Sequence, residues 1–293
     1  MSGAWATPAS VARFAALGER LGYHSAWTFQ RLLVATDQDL APVYRSVLDP
    51  LLTLTYAAAH TSRIRLGVAV VNLPFVSPAY LAKQAGTLDV LSDGRVDLGL
   101  GTGWSDAEFT ATGASTARRA ARTEEYLRVL RTLWADDVSA YEGEFYTVPP
   151  SRMHPRPVQA GGPPVLLGGS VEPALRRAGR LAAGWISSSR ASLDDIAGAA
   201  RIIRAAAAEA GRDPGQVRIV CRGVVEPGER QAGRPLTGSY AQIRAGAEEL
   251  ASYGVTELFY DLNWDPSIGS PDVDEATAIE RAEEILTALA PGR

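Results

Sequence analysis

Short apolar segments and longer amphipathic segments alternate along this chain, and that alternation constrains its fold more than any other feature. Residues 64–71 (IRLGVAVV) form a nearly continuous apolar run, which is typical of a parallel strand covered on both faces. Residues 78–91 then follow with a helical period. Strict alternation of strands and helices predicts a parallel sheet with helices packed against it.

Seven core strands are predicted, over residues 24–29, 64–71, 95–101, 164–167, 184–187, 217–225 and 257–262. Helices are predicted over residues 8–21, 50–60, 78–91, 116–134, 173–181, 193–210, 240–253 and 274–289. Residues 139–148 (SAYEGEFYTV) read as a small hairpin outside the main sheet, and residues 228–238 as a polar surface loop.

The predicted fold class is α/β, a TIM (β/α)8 barrel that lacks its first strand. A chain of 293 residues fits one such barrel, so we expect a single domain over residues 1–293 with an insertion hairpin near 139–148. The helix that starts at Pro8 has no strand before it. We therefore expect an open or patched seam between the strand at 24–29 and the strand at 257–262.

Composition excludes several functional classes. A net charge of −4 argues against a nucleic-acid-binding surface. The single cysteine, Cys221, excludes an intramolecular disulfide, and the three histidines have no metal-ligand spacing, so we expect no metal site. The first 22 residues do not read as a signal peptide, and no apolar run reaches membrane-spanning length. We expect a cytoplasmic protein without a membrane partner.

In such a barrel the functional residues lie at the carboxyl ends of the strands. Gly168, Gly169 and Ser170 join a strand to a helix, which suits either a bound phosphate or simply a tight bend. The segment GLGTGW at 99–104 departs from the G-x-G-x-x-G fingerprint and suits a flat ligand lying against a glycine-lined strand end. Gln30 can hydrogen-bond a ligand, whereas Arg31 suits a ligand or a solvent-facing charge equally.

The strand ends are also rich in aromatic residues, which suits a planar ring system although part of this set must pack the top of the barrel. These residues are Trp27, Phe29, Phe75, Trp104 and Trp264.

Residues 62–109 carry a specific family resemblance. They contain the segments SRIRLG, PAYLAKQ, LSDGR and GTGW, and the flanking segments GERLGYHSAW and PPVLLGGSVEPALRRAGRLAAGWI agree with them. This pattern resembles the luciferase-like monooxygenase superfamily, and is closest to its F420-dependent oxidoreductase branch. The resemblance implies a barrel of the bacterial-luciferase type that binds F420 or, alternatively, FMN.

The resemblance also implies site residues. Cofactor contacts are expected at three strand ends, at Ala69, Val70, Val71 and Asn72, at Gly101, Thr102 and Gly103, and at Gly168, Gly169, Ser170 and Val171. A non-proline cis peptide bond is expected near Ala69–Val70. The catalytic candidates are Gln30, Asn72 and Trp104, and the expected substrate pocket consists of Trp27, Arg31, Phe75, Trp104 and Trp264.

Two departures from the family pattern shape the functional hypothesis. Related F420-dependent dehydrogenases carry an Asp–His pair where this chain has Gln30 and Arg31, so reduction of a small organic substrate fits better than alcohol oxidation. Relatives also begin with a strand before the first helix. The segment MSGAWATP, with which this chain starts, is too short to contain that strand. We expect either a start codon assigned too far downstream or a truncated chain.

The alternatives are an FMN-dependent monooxygenase that uses O2 and a separate reductase, and a flavin-binding relative without turnover. An unrelated barrel lyase or isomerase would require a lysine at a strand end. The only lysine, Lys83, lies on a predicted helix, which argues against this alternative. The resemblance further implies a homodimer, with contacts expected from residues 49–61 and 78–91.

Overall fold

A computed structural model describes residues 1–292 of the chain. The strands are β1 (Ser25–Thr28), β2 (Arg65–Asn72), β3 (Val96–Gly101), β4 (Ser139–Glu142), β5 (Thr147–Ser151), β6 (Val165–Leu167), β7 (Gly184–Ile186), β8 (Arg218–Val224), β9 (Glu226–Pro227), β10 (Thr237–Gly238) and β11 (Glu257–Asp261). The α-helices are α1 (Pro8–Arg20), α2 (Pro50–Ala58), α3 (Pro78–Leu91), α4 (Asp106–Thr112), α5 (Arg119–Ala135), α6 (Glu172–Leu181), α7 (Leu193–Glu209), α8 (Tyr240–Ser252), α9 (Pro266–Gly269) and α10 (Glu275–Ala288).

Seven parallel strands form a nearly closed barrel, in the order β1-β2-β3-β6-β7-β8-β11. These are the seven strands that the apolar runs predict, so the α/β barrel class is confirmed. Within residues 1–292, β1 and β11 form no main-chain ladder with each other. The seam that we expected from the strand count is therefore present.

The helices begin where the sequence supplies caps. Thr7, Asp49 and Ser77 each accept a hydrogen bond from a main-chain N–H in the first turn of α1, α2 and α3, and a proline follows each cap. Their buried faces cover the sheet, where Leu66, Val68 and other strand residues are fully buried. The core thus lies between the sheet and the surrounding helices, and the strand ends are left for binding.

Some elements differ from the predictions. The helix expected from residue 116 begins at Arg119, after Arg118 in the left-handed region (φ 53°). The short helices α4 and α9 were not predicted, because seven and four residues are too few to show a periodicity. The end of the expected loop at 228–238 forms β10, which pairs with β9. The antiparallel hairpin β4–β5 lies outside the main sheet, as predicted for residues 139–148, and extends to Ser151.

No helix among residues 1–292 is both long and apolar enough to cross a bilayer.

Candidate functional site at the carboxyl end of the barrel

The carboxyl half of β2 is irregular, at the point where the family resemblance places the ring of a cofactor. The peptide bond Ala69–Val70 is cis, as predicted, and the register between β2 and β3 shifts between Val68 and Val71. At the end of the strand, the Asn72 N–H donates to Gln30 Oε1 at 2.8 Å. Gln30 therefore holds this strand end through its carbonyl, and its amide nitrogen has no partner among the described residues.

Val70 lies between two glycine-containing strand ends. A Cβ added to Gly101 would lie 2.6 Å from Val70 Cγ2 and 3.3 Å from Asn72 Oδ1, so only glycine fits there. A Cβ added to Gly168 would lie 3.6 Å from Val70 Cγ1, which is an ordinary contact. Val70 is half-buried, and the neighbouring Val71 is buried. The three strand ends thus form an apolar surface with few projecting side chains.

The loop between β6 and α6 supplies hydrogen-bond donors. Gly169 has a φ of +126°, and its carbonyl accepts from Trp185 Nε1 at 2.7 Å, which fixes the loop. The N–H groups of Ser170 and Val171 have no acceptor among residues 1–292, and no side chain caps α6. Free N–H groups at the start of a helix are the donor set that binds phosphate.

A second glycine turn follows β3. Gly103 has a φ of +72°, and a Cβ there would lie 3.1 Å from the ring atoms of both Phe75 and Phe109. Those two rings meet edge to face with centroids 5.1 Å apart. Thr102 is half-buried between this turn and the end of β3. The structure therefore places Phe75 against the glycine turn.

The structure adds an ion pair that the sequence reading missed. Arg222 Nε donates to Asp261 Oδ2 at 2.7 Å across the ends of β8 and β11, and both side chains are largely buried. The Nη1 atom of Arg222 lies 3.5 Å from the carbonyl oxygen of Ala69. The Arg222 guanidinium lies over the Phe29 ring, 5.2 Å from the ring centroid. A charged residue inside the apolar strand VRIVCRGVV is the sequence signal that could have found it.

Arg31 belongs to a cluster above the strand ends. It pairs with Glu108 at 2.8 Å, and both side chains are almost fully buried. The Arg31 guanidinium lies 4.4 Å from the Trp104 ring centroid and 4.9 Å from that of Tyr44. Trp104 remains 56% exposed, so one face of this cluster is open to solvent. Tyr44 and Glu108 were not predicted as site residues.

The expected substrate residues separate into groups. Trp264 meets Tyr44 with ring centroids 5.9 Å apart, so Arg31, Trp104 and Trp264 all lie around Tyr44. Trp27 lies elsewhere, stacked on Phe259 with centroids 4.9 Å apart. The structure thus brings three of the five together and places Trp27 and Phe75 in other contacts.

Other chemistries find no support at this site. Within residues 1–292 no group of three or more His, Cys, Asp or Glu side chains could hold a metal ion. Cys221 is buried, and burial raises the pKa of its thiol to about 11, so it stays a neutral thiol near pH 7.

The site therefore fits a cofactor with a flat ring and a phosphate. The glycine surfaces of Gly101 and Gly168 provide room that a side chain would fill, and the N–H groups of Ser170 and Val171 provide phosphate donors. Gln30 and Asn72 add polar groups beside the apolar surface. Such a surface can bind and orient a planar redox cofactor, which would carry the electron chemistry itself.

Comparison with known proteins gives a family match and several relatives. Residues 1–265 match the model of a family described as luciferase-like monooxygenase. An uncharacterized protein of Mycobacterium tuberculosis (strain H37Rv) is 34% identical over 247 residues, which cover 84% of this chain and 78% of that protein. An F420-dependent glucose-6-phosphate dehydrogenase of Kineococcus radiotolerans is 32% identical over 198 residues, or 64% of this chain and 54% of that enzyme.

The fold has solved counterparts. The crystal structure of monooxygenase RslO1 from Streptomyces bottropensis superimposes with a TM-score of 0.79 and 23% identity, covering 98% of this chain and 94% of that one. At this identity the likeness concerns the fold alone.

Proposed function

We propose, on the premise that this chain belongs to the luciferase-like monooxygenase family, that it is an F420-dependent oxidoreductase acting on a small organic substrate. The similarity to an F420-dependent dehydrogenase supports the choice of cofactor. The proposed reaction runs in the reducing direction, from the reduced deazaflavin to the substrate.

The observation that carries the proposal is the surface around Val70. Gly101 and Gly168 flank this side chain, and Ser170 and Val171 offer free N–H groups at the start of α6. The ring would lie on the apolar surface, and the phosphate would bind at the helix start. When bound, F420 supplies the hydride, which consists of two electrons and a proton carried on its central ring.

The two side chains that follow β1 bind and orient but do not exchange protons. Gln30 cannot act as an acid or a base, and its carbonyl is already held by the Asn72 N–H. Arg31 is neutralised by Glu108, which also accepts the Leu32 N–H at 2.7 Å. Oxidation of an alcohol needs a group that takes its proton, and neither position supplies one.

Reconstitution tests the proposal. The purified chain is titrated with F420 and with FMN separately, and binding is followed by the absorbance of each cofactor and by the mass of the complex. We expect F420 to bind more tightly than FMN, and the reduced F420 complex to be oxidised by an organic acceptor. A protein that binds FMN and ignores F420 contradicts the proposal and favours the monooxygenase alternative. Tight binding without turnover of any acceptor favours the alternative of a flavin-binding relative without catalytic activity.

We also propose that the chain forms a homodimer through α2 and α3. Large apolar side chains on these helices are exposed to solvent, with Leu52 70%, Tyr80 64% and Leu91 61% exposed. Large apolar side chains exposed on two neighbouring helices are a feature of protein interfaces. Light scattering should give a dimeric mass for the native chain and a monomeric mass for the double variant Leu52→Glu, Tyr80→Glu. Val138→Glu, at an exposed apolar position directly before β4, is the control that should stay dimeric.

A further inference from the structure

Tyr44 lies at the centre of the aromatic cluster above the strand ends. Its ring meets those of Phe29, Trp104 and Trp264 edge to face, with centroids 6.2, 6.1 and 5.9 Å away. The Arg31 guanidinium lies over the same ring, 4.9 Å from its centroid. Side chains from three separate parts of the chain therefore fix the position of the Tyr44 ring.

The main chain that carries Tyr44 is also fixed. Residues Pro42–Tyr44 form one turn of 3-10 helix, and the Tyr44 N–H donates to the Ala41 carbonyl at 3.0 Å. Val43 in the same turn is buried and anchors it to the protein. The ring and the main chain of Tyr44 are thus both held in place.

The hydroxyl group of Tyr44, in contrast, is unoccupied by the chain. It has no hydrogen-bond partner among residues 1–292, and protein atoms do not enclose it. The residue as a whole is half-buried, and its neighbour Trp104 is exposed. A fixed ring with a free hydroxyl can donate to a molecule that enters the open end of the barrel.

The cluster borders the surface proposed for the cofactor. Phe29, one of the rings around Tyr44, lies against the Arg222 guanidinium, whose Nη1 is 3.5 Å from the Ala69 carbonyl oxygen. Ala69 directly precedes Val70, around which that surface is formed. A substrate bound between the two therefore has the cofactor surface on one side and Tyr44 on the other.

The charged groups next to this space are already paired. Arg31 pairs with Glu108 at 2.8 Å and Arg222 pairs with Asp261 at 2.7 Å, and all four side chains are largely buried. A charged substrate would compete with one of these pairs, and breaking a buried pair is costly. The space therefore suits an uncharged molecule.

The proton donors of the cluster differ in what they can release. The indole N–H groups of Trp104 and Trp264 and the guanidinium of Arg31 keep their protons near neutral pH. The same holds for Arg190, an exposed residue whose guanidinium lies 5.9 Å from the Trp264 ring centroid. Among these side chains, Tyr44 is the one whose proton can be transferred.

We propose that Tyr44 is the proton donor of the reduction and that the substrate is an uncharged aldehyde or ketone. This inference rests on the proposed function, which supplies the hydride. The carbonyl carbon takes the hydride with its two electrons, and the carbonyl oxygen takes the proton of the Tyr44 hydroxyl. The C=O double bond becomes an alcohol, and the cofactor is left oxidised. A carbonyl oxygen fits because it accepts a hydrogen bond before the reaction and the proton during it.

The surroundings of Tyr44 suit this transfer. Loss of the proton leaves a phenolate, and the Arg31 guanidinium over the ring offsets the new negative charge. The phenolate then takes a proton back from solvent, which reaches the cluster beside Trp104. A neutral phenol gives a proton more readily than it takes one, so the arrangement agrees with the reducing direction.

The first measurement uses the cofactor-free chain and para-dimethylaminobenzaldehyde, an uncharged aromatic aldehyde. Its absorbance band moves to longer wavelength when the carbonyl oxygen accepts a hydrogen bond. We expect this shift with the native chain and the loss of most of it in Tyr44→Phe, which keeps the ring and removes only the hydroxyl. Tyr56→Phe, at an exposed position on α2, is the matched control and should give the native shift.

The second measurement follows one turnover of the complex with reduced F420 after mixing with benzaldehyde, through the absorbance of the oxidised cofactor. Tyr44→Phe should react roughly 100-fold more slowly than the native chain, because general acid catalysis is lost. Its Tm and its affinity for F420 should be unchanged. Tyr56→Phe should react at the native rate.

Several results would overturn the proposal. A native chain that gives no shift with the aldehyde does not bind a carbonyl group at a donor. A Tyr44→Phe variant that keeps the full shift, or reacts as fast as the native chain, assigns the proton to another group. Equal losses in both variants show that the Tyr44 hydroxyl has no specific role.

The two measurements also separate this inference from the proposed function. The absorbance shift needs no cofactor, so a native shift in a chain that ignores F420 contradicts the proposed function while it supports the carbonyl site. A chain that binds F420 and reduces other acceptors, but gives no shift and no turnover with the aldehydes, contradicts the inference alone.

Discussion

The two ends of this barrel differ in how completely their polar groups are paired. At the amino end, Asp97 is fully buried and accepts hydrogen bonds from Arg65 Nε at 2.7 Å and Arg218 Nη1 at 2.6 Å. Arg218 also pairs with Glu257, so a chain of ion pairs connects β2, β3, β8 and β11 across the barrel. Burial alone would raise the pKa of Asp97, but the hydrogen bonds from Arg65 and Arg218 outweigh it and lower that pKa.

The carboxyl end also holds two buried ion pairs of its own, but it adds glycines and donors that have no acceptor in the described chain. Gly169 and Gly103 have positive φ angles, and the N–H groups of Ser170 and Val171 have no acceptor within residues 1–292. Fully paired buried charges hold strands together, whereas donors without acceptors are ready for a ligand. The difference teaches that binding belongs to the carboxyl end while the amino end serves stability alone, and substitutions at each end can test this.

The largest expected effect is at the amino end. Asp97→Ala leaves two partly buried guanidinium groups without their carboxylate, and we expect it to lower the free energy of unfolding by roughly 3–5 kcal/mol. Denaturation with urea measures this loss. The exposed Asp37→Ala is the matched control and should change stability by less than about 0.5 kcal/mol. Unchanged stability in Asp97→Ala would show that the ion-pair network does not hold the strands.

The next effect belongs to the carboxyl end. Gly168→Ala adds a Cβ in ordinary contact with Val70, so the fold should tolerate it, but the methyl group occupies the surface proposed for the cofactor. We expect the affinity for F420 to fall at least tenfold, or about 1.4 kcal/mol, with Tm unchanged. Gly198→Ala on α7, where the added Cβ meets only the end of the Arg201 side chain at 4.0 Å, is the control for affinity, and as a change inside a helix it should raise Tm slightly. Unchanged affinity for F420 in Gly168→Ala would show that the cofactor does not bind on this surface.

The sequence predicted the barrel because its signals are local. Apolar runs such as residues 64–71 and capped helices such as α3 carry their structure in consecutive residues, and α3 has the bounds that its periodicity predicts. The seam followed from counting these local elements, since the helix at Pro8 has no strand before it. Glycines at strand ends can also be read directly from the sequence, which is why Gly101 and Gly168 could be predicted as cofactor contacts.

The ion pairs could not be predicted in the same way. Arg222 and Asp261 are 39 residues apart, and only the parallel pairing of β8 with β11 brings their side chains together. Arg31 and Glu108 meet because the loop after β1 folds over α4, a helix too short to recognise from its pattern. Pairing partners across the barrel depend on strand register and loop conformation, and neither is encoded in local periodicity.

The smallest expected effect returns to the amino end and depends on pH. Glu19 accepts the Ile64 N–H at 2.9 Å and also those of Arg63 and Ser62, so its carboxylate ties α1 to the turn before β2. The hydrogen bond from Ile64, followed by those from Arg63 and Ser62, lowers the pKa of Glu19 from 4.5 to about 2. Because the folded pKa is the lower one, this stabilisation is complete above pH 4.5 and is lost as the pH falls to about 2.

Glu19→Gln replaces the carboxylate with a neutral group of the same shape, much as protonation does. At pH 7 we expect the variant to be less stable than the native chain by about 1 kcal/mol, since hydrogen bonds to a charged acceptor are stronger than those to a neutral one. The difference should shrink steadily in urea denaturation between pH 4.5 and pH 2, while the exposed Glu229→Gln tracks the native chain throughout. A difference that stays constant over this range would assign the loss to the NH2 group that replaces one acceptor oxygen instead of to the charge. In that case the amino end would owe its stability at this position to acceptor atoms rather than to charge, and its contrast with the carboxyl end would rest on Asp97 alone.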